Sequence, residues 1–204
     1  LTSDKDTRDR MRRSKYVQSN TEGIFQQVKQ ELERGKTVLF VGTPCQTAQM
    51  DVYAGVYRDK LIACDFLCHG VPNNDFFRAH IAWLEKIYGK KTSGYFFRGK
   101  KYGWNHMLEE VIFEGRKVRG DKRVQAYSRF FYAGVSLRPS CYNCAFKGTE
   151  RHGDLTLADF WGIQNVLPQM DDDKGTSLVL INTEKGRALL EAVSERVVCE
   201  NVDL

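Results

Sequence analysis

Four cysteines lie in three short segments whose neighbours are suited to presenting a thiolate. Cys45 follows a Gly-Thr-Pro turn, Cys68 precedes His-Gly, and Cys141 and Cys144 form a Cys-x-x-Cys pair. Thiolates are soft ligands that bind zinc, copper(I) or iron–sulfur clusters. The segments are too scattered for a small zinc finger, but together they supply enough sulfur for one four-thiolate site. The chemistry therefore depends on whether the fold brings these sulfur atoms together.

The Cys-x-x-Cys pair has several interpretations from spacing alone. A thioredoxin-like redox pair opens a helix directly after a strand, whereas this pair follows a predicted helix and a Pro-Ser turn. A structural zinc site needs two more ligands, for which His152, Cys45 and Cys68 are candidates. An iron–sulfur site needs two more thiolates, which Cys45 and Cys68 supply. The spacing favours neither zinc nor iron–sulfur, and a pair without metal is the remaining alternative.

Composition places the chain among globular proteins of a reducing compartment. It has 204 residues, 42% of them hydrophobic, which is enough for one large domain or two small ones. No apolar run is long enough to span a membrane, and no signal peptide is evident. Six cysteines are too few for a secreted disulfide scaffold, so a cytoplasmic location is predicted. The net charge of +5 permits an acidic partner or a phosphate-bearing ligand without requiring one.

Charge separates a short leader from the rest of the chain. Residues 1–13 are crowded with Lys and Arg and lack apolar periodicity, which is typical of a solvated linker. Residues 14–204 are predicted to form the functional domain. Because the chain starts at Leu1 rather than Met and stops just after a strand-like run, we expect it to be part of a longer protein.

Two apolar runs predict the strands that position the first two cysteines. Residues 37–41 and 61–67 are continuous and β-favouring, which is typical of strands buried on both faces. A predicted helix over residues 46–54 lies between them, and such units are nearly always parallel. Cys45 and Cys68 would then follow the carboxyl ends of neighbouring strands, where open α/β sheets place their ligand sites.

The turn before Cys45 is a candidate ligand-binding element. Gly42, Thr43 and Pro44 form a tight connection after the first strand, where backbone N–H groups can face a ligand. Gly42 and Thr43 are therefore predicted to contribute to cofactor binding.

The remaining patterns complete the predicted fold. The fold class is α/β, with a mixed, partly parallel sheet, flanking helices and an antiparallel addition. Further helices are predicted at 21–34, capped by Thr21, and at 74–88, 125–133 and 184–196. Further strands are predicted at 93–98, 107–113, 116–118, 154–160, 177–182 and 197–202.

Other reactive or charged residues are predicted to have mainly structural roles. Cys64 and Cys199 lie inside strand-like runs, and His69 is expected to be packed or to support a neighbouring ligand. The basic groups at 98–101 and 116–119 favour a positive surface for ligand phosphates or an acidic electron donor. No nucleic-acid partner is predicted, because the neighbouring aromatic residues alternate at strand spacing and should face the core. Nucleic-acid binding through the basic loops is a third, weaker hypothesis.

Taken together, the motifs resemble those of a known family. They are Ser14-Lys15-Tyr16-Val17-Gln18-Ser19, the segment from Val38 to Gln46, Cys68-His69-Gly70-Val71-Pro72, Phe97-Arg98-Gly99-Lys100 with Gly103-Trp104, the segment from Arg138 to Cys144, and the segment from Asp154 to Gly162. This ordered set resembles the C-terminal domain of the coenzyme F420 hydrogenase/dehydrogenase beta-subunit family, and it favours the bacterial branch. The resemblance extends over residues 14–186.

The resemblance implies an iron–sulfur flavoprotein oxidoreductase that carries a 4Fe-4S cluster and FAD. Cys45, Cys68, Cys141 and Cys144 match the cluster cysteines of the family. Ser14, Lys15, Tyr16 and Ser19 match a segment near the flavin. No catalytic residue is assigned.

The resemblance also implies partners for electron transfer. Family members pass electrons between a low-potential donor, such as a ferredoxin or a reduced deazaflavin, and a substrate. A redox partner subunit is a further expectation. The alternative hypothesis is a non-catalytic, zinc-stabilised α/β module that binds a protein or an acidic ligand.

Overall fold

The structure is a computed structural model that describes residues 1–99, 101–106 and 108–203. It divides into two compact units, each built from several segments. Unit 1 comprises Leu1–Asn20, His69–Cys144 and Trp161–Thr176, and unit 2 comprises Thr21–Cys68, Ala145–Phe160 and Ser177–Leu204. Lys100 of the first basic group and Met107, the predicted start of a strand, lie outside the described residues.

The predicted fold class is confirmed. A mixed four-stranded sheet and a separate antiparallel three-stranded sheet are both present, with helices around them. The helices are α1 (Lys5–Arg10), α2 (Ile24–Glu33), α3 (Pro44–Ala54), α4 (Asn74–Tyr88), α5 (Ala126–Tyr132), α6 (Pro139–Tyr142), α7 (Ile163–Val166) and α8 (Glu184–Glu191). The strands are β1 (Val38–Val41), β2 (Leu61–Phe66), β3 (Thr92–Gly99), β4 (Leu108–Phe113), β5 (Arg116–Arg119), β6 (Leu155–Asp159) and β7 (Ser177–Ile181).

Unit 2 contains the mixed sheet, in the order β1-β2-β6-β7. The pairs β1–β2 and β2–β6 are parallel, and β6–β7 is antiparallel. The predicted parallel pairing of the first two strands is therefore confirmed. Residues from α2 and α3, including Leu32 and Met50, pack with Phe40 and Leu61 in one buried apolar cluster.

The prediction that β1 is buried on both faces is wrong. Val38 and Phe40 are buried, but Leu39 and Val41 are 60% and 59% exposed. The strand is at one end of the sheet order, so among the described strands it pairs with β2 alone. A continuous apolar run does not distinguish a covered face from an open one, and here only the face beneath α2 and α3 is covered.

Unit 1 contains the antiparallel sheet β3-β4-β5. The strands predicted at 107–113 and 116–118 form the hairpin β4–β5, which turns at Glu114-Gly115 and pairs Phe113 with Arg116. Helix α4 has the predicted bounds, because Asn73 caps its first turn and Gly89 ends it in the left-handed conformation. Leu84 of α4 packs against Val111, Phe113 and Val118 of the sheet.

Several predicted boundaries are wrong. Residues 197–202 form no strand, although the run is apolar, because no strand of the described chain pairs with them. Helix α8 ends at Glu191, short of residue 196. Helix α2 is capped by Gly23 in the left-handed conformation instead of by Thr21. The charged leader contains a short exposed helix, α1, and its boundary at Ser14 stays a prediction.

No helix in the described part of the chain is long and apolar enough to cross a membrane.

Candidate functional site

Cys45 lies at the start of α3, directly after the parallel strand β1. The helix begins at Pro44, two residues before the predicted start at residue 46, so Cys45 lies in its first turn. Thr43 and Gln46 form a reciprocal capping box around this turn. The Thr43 hydroxyl oxygen is 3.1 Å from the Cys45 sulfur. The cap therefore fixes the backbone and one neighbour of this thiol.

Cys68 occupies the matching position after β2. Val41 of β1 is in register with Cys64 of β2, and each cysteine follows its member of that pair by four residues. The strands are parallel, so both chain segments leave the sheet at the same edge, as predicted. Both cysteines are half-buried.

The backbone donors of the turn before Cys45 are already used within the protein. The Gly42 N–H donates to the Cys64 carbonyl at 3.1 Å, and the Thr43 N–H donates to Gln46 Oε1 at 3.0 Å. Gly42 is also sterically required, because a Cβ there would lie 2.9 Å from the Phe40 ring. The structure thus gives Gly42 and Thr43 a role in holding the turn, and their assignment to a cofactor stays a prediction.

Cys141 and Cys144 lie at the end of a short helix in unit 1. Cys141 is in α6 and Cys144 follows two residues after its end, so the pair does not open a helix as a thioredoxin-like pair would. Two N–H groups donate to the Cys141 sulfur: the Val71 amide at 3.3 Å and Arg138 Nε at 3.4 Å. Such donors stabilise negative charge on sulfur and are typical of thiolates that bind metal.

The segment after Cys68 is fixed against the segment before Cys141. Pro72 and Leu137 form an antiparallel bridge, and the Arg138 N–H donates to the Val71 carbonyl at 2.8 Å. Gly70 has φ of 137°, and a Cβ there would lie 2.7 Å from Leu137. Only glycine therefore fits this close approach without displacing Leu137.

The two cysteines predicted to be structural differ from the ligand candidates. Cys64 is buried, and burial raises the pKa of its thiol to about 11, with a smaller contribution from neighbouring carboxylates. Cys64 lies within β2, so its predicted strand position is confirmed, and a purely structural role stays a prediction. Cys199 is exposed and lies outside any strand, so its predicted strand position is wrong. None of the six cysteines, all of which are described, forms a disulfide.

The described residues of neither unit by themselves form a complete metal site. Within each unit, no described group of three or more His, Cys, Asp or Glu side chains could hold a metal ion. His152, considered as a zinc ligand, is exposed and contacts the Phe146 ring instead. His69 packs against Phe131, with its Nε2 3.0 Å from the Phe131 carbonyl, which agrees with the predicted packing role.

The predicted flavin segment belongs to unit 1, where Tyr16 is anchored by α5. Its ring stacks on Phe131 at 4.8 Å. The Tyr127 hydroxyl donates to the Tyr16 carbonyl at 2.5 Å, and the Tyr132 hydroxyl donates to the Tyr16 hydroxyl at 2.9 Å.

The other residues of this segment are more open to solvent. Lys15 is exposed and donates to the carbonyls of Met11 and Arg12. Ser14 is half-buried and Ser19 is exposed. Their contribution to a cofactor site stays a prediction.

The basic groups contact residues of unit 1. Lys117 and Arg119 both form ion pairs with the buried Glu110, and Arg116 lies over the Tyr88 ring. Arg98 lies over Trp161, which stacks on Trp104 at 4.1 Å. The second group therefore contributes to packing and ion pairing more than to the open positive surface that the sequence predicted.

A buried polar cluster in unit 1 was not predicted from the sequence. Tyr95, Glu109 and His80 meet through the Tyr95 hydroxyl. The sequence nevertheless contains an indication that these polar residues are buried. Glu109 is in phase with the apolar residues Val111 and Phe113 of the strand. His80 lies on the apolar stripe of α4, between Phe77 and Leu84.

Comparison with known proteins gives one family. A family model that describes the C terminus of the beta subunit of coenzyme F420 hydrogenase/dehydrogenase matches residues 35–204. No curated protein matches the chain.

Proposed function

The chain belongs to the coenzyme F420 hydrogenase/dehydrogenase beta-subunit family, as the C-terminal part, and from this premise we propose that it is an iron–sulfur flavoprotein oxidoreductase domain. Its activity would be to pass electrons between a low-potential donor and a substrate. The family match carries this proposal. Membership of a beta-subunit family also supports a partner subunit.

We propose that Cys45, Cys68, Cys141 and Cys144 hold a 4Fe-4S cluster. Two observations support this assignment: the matched positions of Cys45 and Cys68 after parallel strands, and the two N–H donors to the Cys141 sulfur. Val71 follows Cys68 by three residues, so the chain keeps their Cα atoms within about 11 Å of each other. Four thiolates are the donor set that a 4Fe-4S cluster requires.

The cysteine environment would tune a cluster once it is bound. A 4Fe-4S cluster supplies one-electron transfer, with a potential set partly by hydrogen bonds to the sulfurs. Val71 and Arg138 would lower the electron density on the Cys141 sulfur through their N–H groups. Thr43 and Gln46 would hold the Cys45 turn in place.

FAD is proposed from the family resemblance, and the geometry supports it less directly. The N–H donors of Gly42 and Thr43 are engaged within the protein, so they are poorly suited to binding a phosphate. Ser14, Lys15, Tyr16 and Ser19 lie in one segment of unit 1 and are the better candidates. A ferredoxin or a reduced deazaflavin of the coenzyme F420 type is the proposed donor.

Replacement of Cys141 by Ala tests the cluster assignment. We expect the variant to lose most of its iron and acid-labile sulfide after anaerobic reconstitution, because a ligand and its two N–H partners are disrupted. The measurement is iron and sulfide per chain, with the broad visible absorption band. Retention of the full iron content by Cys141→Ala would show that the assignment is wrong.

Cys199→Ala is the matched control for this experiment. Cys199 is exposed and lies outside the proposed ligand set, so its removal should leave iron and sulfide unchanged. The same measurement separates the zinc alternative, since a zinc-stabilised module would contain stoichiometric zinc and remain colourless.

A further inference from the structure

A hydrogen-bonded cluster of three titratable side chains is buried inside unit 1. The Tyr95 hydroxyl donates to Glu109 Oε1 at 2.8 Å, and it lies 3.1 Å from the Val124 carbonyl oxygen. His80 Nε2 is 3.3 Å from the same hydroxyl. Glu109 comes from β4, Tyr95 from β3 and His80 from α4. The cluster therefore connects helix α4 to the antiparallel sheet of unit 1.

Glu109 has no cationic partner among the described residues. It is 2% exposed, and the Lys and Arg side chains described nearby pair with its neighbour Glu110 instead. No described residue forms a well-aligned hydrogen bond with Glu109 Oε2. Burying a carboxylate without a cationic partner costs more folding free energy than burying the protonated acid. Burial accordingly raises the pKa of Glu109 to about 7, although Ser128 and Tyr95 partly lower it.

The other members of the cluster are held in their neutral forms. Burial lowers the pKa of His80 to about 4. Burial, followed by the charge of Glu109, raises the pKa of Tyr95. At neutral pH, Glu109 is thus the member whose charge changes.

Helix α5 connects this cluster to the Ser14–Ser19 segment. Ser128 of this helix lies close enough to the Glu109 carboxyl to lower its pKa. The Ser128 hydroxyl is buried, and it forms no well-aligned hydrogen bond with any described residue. The neighbouring residues Tyr127 and Tyr132 hold Tyr16 by its carbonyl and its hydroxyl. Tyr127 is fully buried and also feels the charge of Glu109. Helix α5 therefore contacts both the Glu109 carboxyl and the Ser14–Ser19 segment.

We propose that Glu109, Tyr95 and His80 form a buried proton-binding site whose occupancy controls how α5 holds the Ser14–Ser19 segment. Loss of the proton leaves a buried Glu109 carboxylate that has no cationic partner among the described residues. The free-energy cost of this charge falls when α5 loosens and admits water. Tyr127 and Tyr132 move with the helix, so their hydrogen bonds to Tyr16 weaken. This proposal does not depend on the proposed function, but it concerns the segment that the resemblance places near a flavin.

The direction of the pH effect follows from the raised pKa of Glu109. The native state binds the proton more tightly than the unfolded chain, so its stabilisation is complete below about pH 4.5 and is lost as the pH rises to about 7. Relative to Glu109→Gln, the unfolding equilibrium constant of the wild-type chain should rise on the order of 100-fold across that range. The measurement is urea unfolding at a series of pH values.

Glu110→Gln is the matched control. Glu110 is the next residue, on the opposite face of β4, and it is paired with Lys117 and Arg119. Although burial opposes the effect, these partners lower the pKa of Glu110. Its stabilisation is therefore lost as the pH falls below the range for an ordinary Glu, so Glu110→Gln should leave the change between pH 4.5 and 7 intact.

NMR of the unmodified chain tests the proposal without relying on a variant that must fold. Carboxyl ¹³C signals of labelled glutamate should show one residue titrating near pH 7, and the ring signal of Tyr16 should shift with the same midpoint. Glu109→Gln should remove both changes. Tyr95→Phe should move the midpoint upward, because it removes a hydrogen bond that lowers the pKa of Glu109.

Two results would overturn the proposal. Titration of Glu109 in the range of an ordinary glutamate would show that the buried site does not retain a proton at neutral pH. A Tyr16 signal that stays constant while Glu109 titrates would show that α5 does not couple the two.

Discussion

At the level of single residues, Asp154 is a buried carboxylate that joins three parts of unit 2. It is 1% exposed. It accepts hydrogen bonds from the Ala63 N–H at 2.8 Å, from Arg58, and from the Thr183 hydroxyl at 2.9 Å. Burial alone would raise the pKa of Asp154, but these donors outweigh it and lower the pKa. The charge is therefore compensated in the native state.

Asp154→Asn should destabilise the chain by on the order of 3 kcal/mol, because it leaves Arg58 without its buried partner. The difference should shrink as the pH falls toward the pKa of Asp154, since a lowered native pKa means that the stabilisation is lost in acid. Urea unfolding at pH 7 and in acid measures both effects.

Asp51→Asn is the control for this ion pair. Asp51 also pairs with Arg58, but its side chain is 29% exposed. Its loss should cost less than about 1 kcal/mol, as for pairs near the surface. Equal losses for the two variants would show that burial of Asp154 does not decide the effect.

At the level of elements, the first turn of α3 is the part of the fold that positions Cys45. Its capping box is formed by Thr43 and Gln46, and the Thr43 hydroxyl also approaches the cysteine sulfur. The element thus links local helix capping to the candidate ligand set.

Thr43→Ala should lower the stability by about 1 kcal/mol through loss of the cap, and should also reduce the iron retained after reconstitution. Thr43→Ser keeps the hydroxyl and should restore both quantities. Thermal unfolding and iron content are measured on the same samples. Full iron retention by Thr43→Ala would show that the cap does not position Cys45 for a cluster.

At the level of the whole molecule, several cations that contribute to the net charge of +5 contact residues of unit 1. Lys117 and Arg119 are paired with Glu110, and Arg98 and Arg116 lie over aromatic rings. All of these contacts join residues of unit 1. Few of these cations are therefore available to bind nucleic-acid phosphates and release their counterions.

We therefore expect no tight binding to DNA or RNA at physiological salt. Fluorescence anisotropy with labelled single-stranded and duplex oligonucleotides, at two salt concentrations, measures this. Micromolar affinity that falls steeply with salt would contradict the expectation. A Lys117→Ala variant is the control for any weak binding that is seen.

The amino-acid sequence alone determined the elements whose bounds depend only on residues close to them in the chain. Helix α4 has the predicted bounds because its apolar stripe, the Asn73 cap and the Gly89 stop all agree. The hairpin at Glu114-Gly115 is equally local. The parallel pairing of β1 and β2 also followed from chain order, since the connection between parallel strands must cross over.

Contacts between segments distant in sequence were decided only by the tertiary structure. The open face of β1 and the absence of a strand at 197–202 depend on which described neighbours cover or pair with an apolar run. One N–H donor to Cys141 comes from Val71, seventy positions earlier. The Glu109 cluster likewise needs three elements to meet. Sequence spacing specifies residue type and local geometry, but burial and hydrogen bonding are properties of the packed chain.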